Sequence, residues 1–278
     1  MKKSFLIVTL ILVTMSVSAQ YYISVSGGLH NKANMKLLST SSGALKGSYG
    51  DGIQTQIRGG YFFNDKIGVD VGVGYLHGED QQIRKDYLDV NARARAFGAS
   101  LSGIYNLSSN VYVRAGLITK IGGKSIAEGS LDLNIPGEWV NPALAGSGQT
   151  LPLKVEFDRD NTGEFPLGFV GAFGVKFEVA KNWSVFAEME YQGIDVTPNK
   201  STLTRYAGTL AGQPVERDQL IALIEGNPQA SAFFEEDKLS IFDEFTYSDN
   251  PSDNQRKKFD APYSSFGFNI GIMYTFSK

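Results

Sequence analysis

The chain has 278 residues, a net charge of -3, two histidines and no cysteine. The missing cysteine excludes a disulfide scaffold, thiolate metal sites and a lipid-modified cysteine anchor. The mild acidity argues against nucleic acid as a partner.

At the N-terminus Lys2 and Lys3 precede an apolar run from Phe5 to Val13, and Val17-Ser18-Ala19 offers small residues for cleavage. This order predicts a secretory signal peptide over residues 1–19, removed after Ala19, and a mature domain over residues 20–278. The apolar run is shorter than the roughly 20 residues that span a bilayer. No long apolar segment follows it, so any membrane crossing by the mature chain has to use strands.

The mature sequence is built on a period of two. A first strand is predicted over Tyr21 to Gly28. From Ile53 to Tyr75 one parity carries Ile53, Ile57, Tyr61, Phe63, Ile67, Val69, Val71, Val73 and Tyr75, and the other carries Gln54, Gln56, Arg58, Gly60, Gly68, Asp70, Gly72 and Gly74. Folding this hairpin about Asp65 sets Phe63 against Ile67, Tyr61 against Val69 and Ile57 against Val73, so both strands agree on their faces. A second hairpin, Ala96 to Tyr105 and Val111 to Ile121, turns at Ser109 and sets Tyr105 against Val113, Leu101 against Leu117 and Phe97 against Ile121. A third, Leu167 to Val179 and Trp183 to Tyr191, turns at Lys181 and sets Phe177 against Val185, Val175 against Ala187 and Phe173 against Met189. The last strand is Ser265 to Phe276. The sum is an all-β, eight-stranded antiparallel up-and-down barrel.

The sense of the alternation separates a membrane barrel from a soluble one. One face is apolar, free of charge in the hairpin centres, and ends in the aromatics Tyr61, Phe63, Tyr75, Tyr105, Trp183 and Tyr191, with Tyr274 and Phe276 on the last strand. The other face is rich in glycine and holds Arg58, Asp70, Arg114, Lys176, Glu178, Glu188 and Glu190. That second set makes a poor dry core but suits a narrow lumen inside an apolar, aromatic-girdled exterior. The register puts Asp70 diagonal to Arg58 and Lys176 diagonal to Glu188, and predicts a lumen plugged by paired charges. Glycines 60, 68, 72, 74, 116 and 174 leave parts of that lumen wide.

Three short turns alternate with the segments Leu29 to Gly52, His77 to Asp89, Gly122 to Glu164 and Gln192 to Pro262, the asymmetry expected of periplasmic turns and external loops. Alternating pieces at Leu131 to Ile135 and Leu153 to Phe157 raise a ten-stranded alternative, against a hairpin projecting beyond the membrane. In the last segment Pro214 suits a first helical position, followed by Val215, Leu220, Leu223 and Ile224 and an end near Gly226. Asn227-Pro228 starts a second helix leading to Phe233, Phe234 and the acidic run Glu235 to Asp237. These apolar residues predict a folded cap that faces an extracellular protein partner. His30 and His77 are placed at outer strand ends as solvated histidines. No nucleophile motif, metal-ligand spacing or cofactor fingerprint accompanies His77-Gly78-Glu79-Asp80, so no catalytic, cofactor or metal residue is assigned.

The sequence resembles the outer-membrane protein β-barrel domain family, the small OmpA-like and OmpX-like barrels. The resemblance rests on Tyr61-Phe62-Phe63-Asn64-Asp65-Lys66-Ile67-Gly68-Val69, on Trp183-Ser184-Val185-Phe186-Ala187-Glu188 and on the C-terminal strand. In that strand Asn269, Gly271, Tyr274 and Phe276 look like the family's assembly signal, here followed by Ser277 and Lys278 rather than ending on the aromatic. The resemblance implies outer-membrane lipids and the outer-membrane insertion machinery as partners, and a bacterial outer-membrane location. It leaves three roles open: a structural or surface-interaction protein first, a narrow pore or transporter for a small or lipophilic solute second, and a surface enzyme third.

Overall fold

The computed structural model describes residues 20–33, 36–40, 43–46, 48–85, 87–235, 238–252 and 255–276. The predicted signal peptide, part of the acidic run after Phe234 and the last two residues lie outside them. The strands used below are β1 (Gln20–Lys32), β2 (Gly52–Phe62), β3 (Ile67–Gly78), β4 (Leu88–Asn106), β5 (Val111–Pro136), β6 (Thr150–Gly163), β7 (Gly168–Ala180), β8 (Trp183–Gly193), β9 (Asp195–Val196), β10 (Pro198–Leu210), β11 (Glu244–Ser248), β12 (Ala261–Pro262) and β13 (Ser265–Phe276). Two helices, α1 (Arg217–Gly226) and α2 (Pro228–Phe233), follow β10.

Eight strands close a barrel by antiparallel pairing throughout. β1 pairs with β2, β2 with β3, β3 with β4, β4 with β5, β5 with β7, β7 with β8, β8 with β13, and β13 with β1. Closure leaves no free edge in the barrel wall, the condition for a sheet in hydrocarbon. The outward parity is apolar and bare: Val71 is 60% exposed and Ile270 61%. The inward parity buries Arg58, Asp70, Arg114, Glu188 and Glu190. Burying the charged face while exposing the apolar one is unfavourable in water and favourable in a bilayer.

The register of the hairpins follows from the sequence with two exceptions, one at the third turn, where Trp183 pairs with Ala180 rather than Val179, and one in the second hairpin. Tyr61 pairs with Val69 and Ile57 with Val73, while Phe177, Val175 and Phe173 pair with Val185, Ala187 and Met189. Asn64 closes the first turn, its Oδ1 accepting from the amides of Lys66 and Ile67 at 2.9 Å each. In the second hairpin Tyr105 pairs with Val113 and Leu101 with Leu117, but Phe97 faces Gly122 rather than Ile121. A β-bulge between Phe97 and Gly98 adds a residue to β5 and shifts everything beyond it by one.

Beyond the barrel, β5 and β6 continue as a long hairpin. Leu131 pairs with Val155 and Leu133 with Leu153, so the two alternating pieces pair with each other outside the wall and the barrel has eight strands, not ten. β6 also pairs with β10, and β10 with β11, so the hairpin is extended into a sheet by two strands from the segment 192–262 that the sequence presented as loop. One face of this sheet is covered by α1 and α2, burying Leu131, Ile135, Leu153, Val155, Phe157, Leu220, Ile224 and Phe234 in one cluster. α1 starts at Arg217, three residues after Pro214, because Glu216 and Gln219 form a capping box there while Pro214 pairs with Thr209. α2 starts as the sequence indicates, with Asn227 Oδ1 accepting from the amides of Gln229 and Ala230 and Pro228 in the first turn. A strap of β9 paired with β12 crosses the head side of the barrel mouth, where Val196, Ala261 and Tyr263 pack with Leu76, Ala94 and Ala96.

Candidate functional site

The barrel brings four strands' inward residues to one level of the lumen. Arg58 of β2 donates to Glu188 Oε1 of β8 at 3.0 Å, and Tyr112 of β5 donates to the same oxygen at 2.8 Å. Arg114 of β5 reaches Glu188 Oε2 at 3.4 Å, pairs closely with Glu190, and donates to Ser102 Oγ at 3.3 Å. Glu190 Oε1 also accepts from Gln56 at 2.9 Å and Gln192 at 2.7 Å. All four charged side chains are at most 3% exposed. Two arginines and two glutamates balance in charge, and the glutamates' second lone pairs are taken by phenol and amide donors. Partners of this kind are what make a buried ion-pair group tolerable, although the Nε atoms of Arg58 and Arg114 are buried without one.

Asp70 lies outside this pairing. Its Oδ2 accepts from Tyr22 OH at 3.0 Å, and the expected diagonal contact with Arg58 is replaced by Arg58's bond to Glu188. Lys176 does not meet Glu188 either: its Nζ donates to Asn106 at 3.2 Å and stands 5.1 Å from the Phe62 ring and 5.8 Å from the Tyr112 ring. Glu178 is exposed near the turn between β7 and β8, so it is not a lumen charge. The reason is geometric. Diagonals on a flat register ignore the barrel's curvature, which brings β2 and β5 across the lumen to β8.

Below the charges, toward the turns, the lumen is filled by Tyr22, Phe62, Ile104, Tyr112, Phe186 and Met273. Of the glycines predicted to widen it, Gly72 and Gly74 line the cavity above the charges, whereas Gly60, Gly68 and Gly174 do the reverse. Gly60 is the direct partner of Tyr22 and Gly174 of Tyr112, and an added Cβ would lie 2.2 and 2.3 Å from those rings. Gly68 beneath Phe62 and Gly271 beneath Phe186 repeat the arrangement. Each glycine gives a cross-strand aromatic a place to lie flat on the wall, so the aromatic fills the bore.

Above the charges, a cavity of about 710 Å³ including its openings is lined by Gln54, Gln56, Gln192, Thr119 and Lys120, with Val196 and Tyr263 at its head side. His30, read from sequence as solvated, is 2% exposed. Its Nδ1 is 3.2 Å from Ser265 Oγ, its Nε2 is 3.2 Å from Asn269 Oδ1, and Glu190 Oε1 is 3.9 Å away. This hydroxyl, imidazole and acceptor have the connectivity of a nucleophile with its base. Ser265 is fully buried, however, and neither it nor His30 lines the cavity; attack requires a place for the reacting atom beside the nucleophile. His77 is exposed on the outer face.

The wall aromatics fall in two bands. Near the turns, Tyr61 stacks with Tyr21 and Phe63 at 4.9 and 5.1 Å, and Trp183 with Tyr274 at 4.9 Å. Near the head, Tyr75 meets Phe97 at 5.0 Å and Tyr191 meets Phe169 at 5.7 Å. Tyr105 lies with the first band, opposite Ile67 and Val113. In β13, Tyr274 and Phe276 face outward with ring centroids 5.0 Å apart, whereas Asn269 and Gly271 face the lumen against His30 and Phe186.

The family model for the outer membrane protein beta-barrel domain matches residues 5–210, well over half of the chain. The chain belongs to this family. As an outer-membrane barrel it has membrane lipid as its surroundings, and the exposed apolar belt and the polar lumen agree with that. Three solved structures illustrate the likeness. Ail, the attachment invasion locus protein of Yersinia pestis, solved with the heparin analogue sucrose octasulfate, is 9% identical with a TM-score of 0.35, over 94% of this chain and 100% of that one. A major outer membrane protein from Thermus thermophilus is 10% identical with a TM-score of 0.39, over 93% and 99%. A Pseudomonas aeruginosa FadL homologue is 12% identical with a TM-score of 0.35, over 92% and 59%. Among curated proteins no sequence matches the chain.

Proposed function

We propose that this protein is a surface-interaction protein of the bacterial outer membrane, in which the barrel is a plugged anchor and the head presented by β5, β6, β10, α1 and α2 is the working part. The observation that carries the reading is the lumen at the level of Glu188. Two arginines, two glutamates and a tyrosine converge there, and aromatic rings fill the bore beneath. A lumen so filled offers a solute no continuous path, since eight strands enclose a bore only about as wide as the side chains within it. The head, by contrast, has its own apolar core, as a segment does when it keeps a fixed shape for a partner.

In this reading residues 1–19 direct export and are cleaved after Ala19, the β13 pattern engages the insertion machinery, and the three short turns face the periplasm. The test uses intact cells. Added protease should cut within 192–262 and spare the turns at Asp65, Ser109 and Lys181, and a variant lacking residues 198–258 should insert normally while losing cell-surface binding. Cleavage at the turns with an intact head would invert the orientation. Unchanged surface binding without the head would remove the function assigned to it.

A second reading, a conduit for a small solute, draws support from the cavity above the plug. It requires the Arg114 and Glu190 pair to part, and uptake of small solutes by protein-loaded liposomes is its measure.

A further inference from the structure

A row of basic residues crosses three strands at the head-side edge of the apolar belt. The register sets His77 of β3 beside Arg95 of β4, and Arg95 beside Lys124 of β5. One step nearer the turns, on the same face, Tyr75 lies beside Phe97. Basic side chains directly above aromatic ones are the arrangement that suits the boundary between hydrocarbon and headgroups.

Lys124 reaches this face through the bulge. In the inner half of β5 the even-numbered residues, Tyr112, Arg114 and Lys120, face the lumen. Lys120 pairs with Gly98 and Gly122 with Phe97, leaving Ile121 as the extra residue. That residue reverses the alternation, so Lys124 points out. Gly123 holds the kink at a φ of 91°, where an added Cβ would lie 2.0 Å from the Arg95 carbonyl oxygen. Bulges commonly serve to re-aim a side chain in this manner.

The result sets two cations side by side, of which the fold supplies a carboxylate to one. Like charges directly opposite on neighbouring strands repel, and Arg95 and Lys124 are such a pair. Asp160 takes Lys124 at 2.5 Å. Arg95 is held only by the carbonyl oxygens of Gly78 at 2.6 Å and Ala94 at 2.8 Å, with no carboxylate partner among the described residues. Arg93, one row higher, is by contrast neutralised by Glu128 and Asp80. Between Arg95, Lys124, Tyr75 and Phe97 the outer wall has an open concavity of about 660 Å³.

We propose that this concavity binds a membrane lipid with a phosphorylated headgroup. The phosphate oxygens accept from Arg95 and Lys124, relieving their repulsion, and the acyl chains descend along Phe97 and Leu101, which are 53% and 56% exposed. The aromatic floor and the apolar belt beneath it favour a lipid over free phosphate, which has no chain to lay there.

The test uses the full chain refolded in detergent and titrated with phosphatidic acid or phosphatidylcholine, with bound lipid counted by native mass spectrometry. The native protein should retain phosphatidic acid preferentially, and the Arg95→Gln/Lys124→Gln double variant should lose that preference. Each charge removed should weaken retention about fivefold. Arg93→Gln, which lies one row away, should leave the preference intact, and inorganic phosphate should not displace the lipid. Equal retention by native protein and double variant would overturn the proposal, as would displacement by inorganic phosphate, which would make the site a general anion site. If the double variant does not fold, the native protein still decides: no preference for phosphatidic acid over phosphatidylcholine refutes a phosphate site for lipid.

Discussion

The inner and outer halves of β5 put opposite chemistry into their interiors. Below the bulge at Phe97, Tyr112 and Arg114 are buried in the lumen while Leu117 and Ile121 are exposed. Above it, Leu131 and Ile135 are buried against the helices while Ser130, Asp132 and Asn134 are exposed. The backbone is the same strand, paired antiparallel throughout. What changes is the medium outside it, and the side chains that face inward are those the outer medium rejects. The extra residue at Ile121 shifts the alternation at the boundary, so each half presents the parity its own surroundings require. The barrel is thus held by paired charges and its head by apolar burial, and the two regions should respond differently to the same kind of damage.

The largest effect should come from Glu188→Ala. It strips both Arg58 and Arg114 of a partner at a level where neither is solvated by the exterior, a loss of about 3 to 5 kcal/mol if water stays out. Urea unfolding of the refolded protein measures it. Lys176→Met and Glu178→Ala should each change stability by less than about 0.5 kcal/mol by the same assay, because neither residue shares that network. A loss as large at Lys176 as at Glu188 would restore the diagonal pairing that the curvature argument removes.

Leu153→Ala probes the head. It is 1% exposed within the cluster that α1 and α2 cover, and the cavity left behind should cost about 2 to 5 kcal/mol. The loss should be confined to the head: protease susceptibility of 192–262 rises while heat-modifiable migration of the barrel is unchanged. Parallel loss of both would mean the two regions fold as one unit.

A charge on each outer surface tests the inversion itself. Val71→Arg, at the exposed centre of the barrel wall, should destabilise by about 2 to 4 kcal/mol in lipid. Ser130→Arg, exposed on the head portion of β5, should change stability by less than about 0.5 kcal/mol. Equal effects would mean that the wall does not face hydrocarbon.

The smallest effect concerns the strap over the mouth. Burial, reinforced by nearby Asp260, holds the Asp195 carboxyl above the ordinary carboxylate range. The folded strap therefore binds its proton more readily than the unfolded chain. That stabilisation is full below the ordinary carboxylate value and is lost as pH rises through the raised one. Hydrogen exchange of the Tyr263 amide, which donates to Ile194 at 2.9 Å, should slow on acidification once corrected for intrinsic rates, and Asp195→Asn should abolish the change.

Strand positions and most of the register were legible because a one-residue slip would turn every side chain to the wrong medium. The hairpins at Asp65 and Lys181 carry enough alternation to fix themselves. Three features were not legible. The bulge opposite Phe97 leaves no mark in the alternation up to Ile121, since the shift shows only in the residues beyond. The strand at 198–210 is broken by irregularities at Asn199 and Thr204, which destroy the period of two. Cross-lumen partners depend on barrel curvature, so the meeting of Arg58 and Arg114 with Glu188 has no signature in local spacing. A sequence signal did exist for the aromatic plug: Tyr22, Phe62, Tyr112 and Phe186 stand on the inward parity, each destined to lie over a glycine of the neighbouring strand.

The central claim, that the lumen is closed by this plug, is tested most directly by single-channel recording of the refolded full-length protein in planar bilayers, beside Glu188→Ala. The native protein should stay closed or open only briefly, and the variant should open more often, because Arg58 and Arg114 are released from the carboxylate that holds them across the bore. A large, steady conductance in the native protein would contradict the account and put the conduit in place of the anchor.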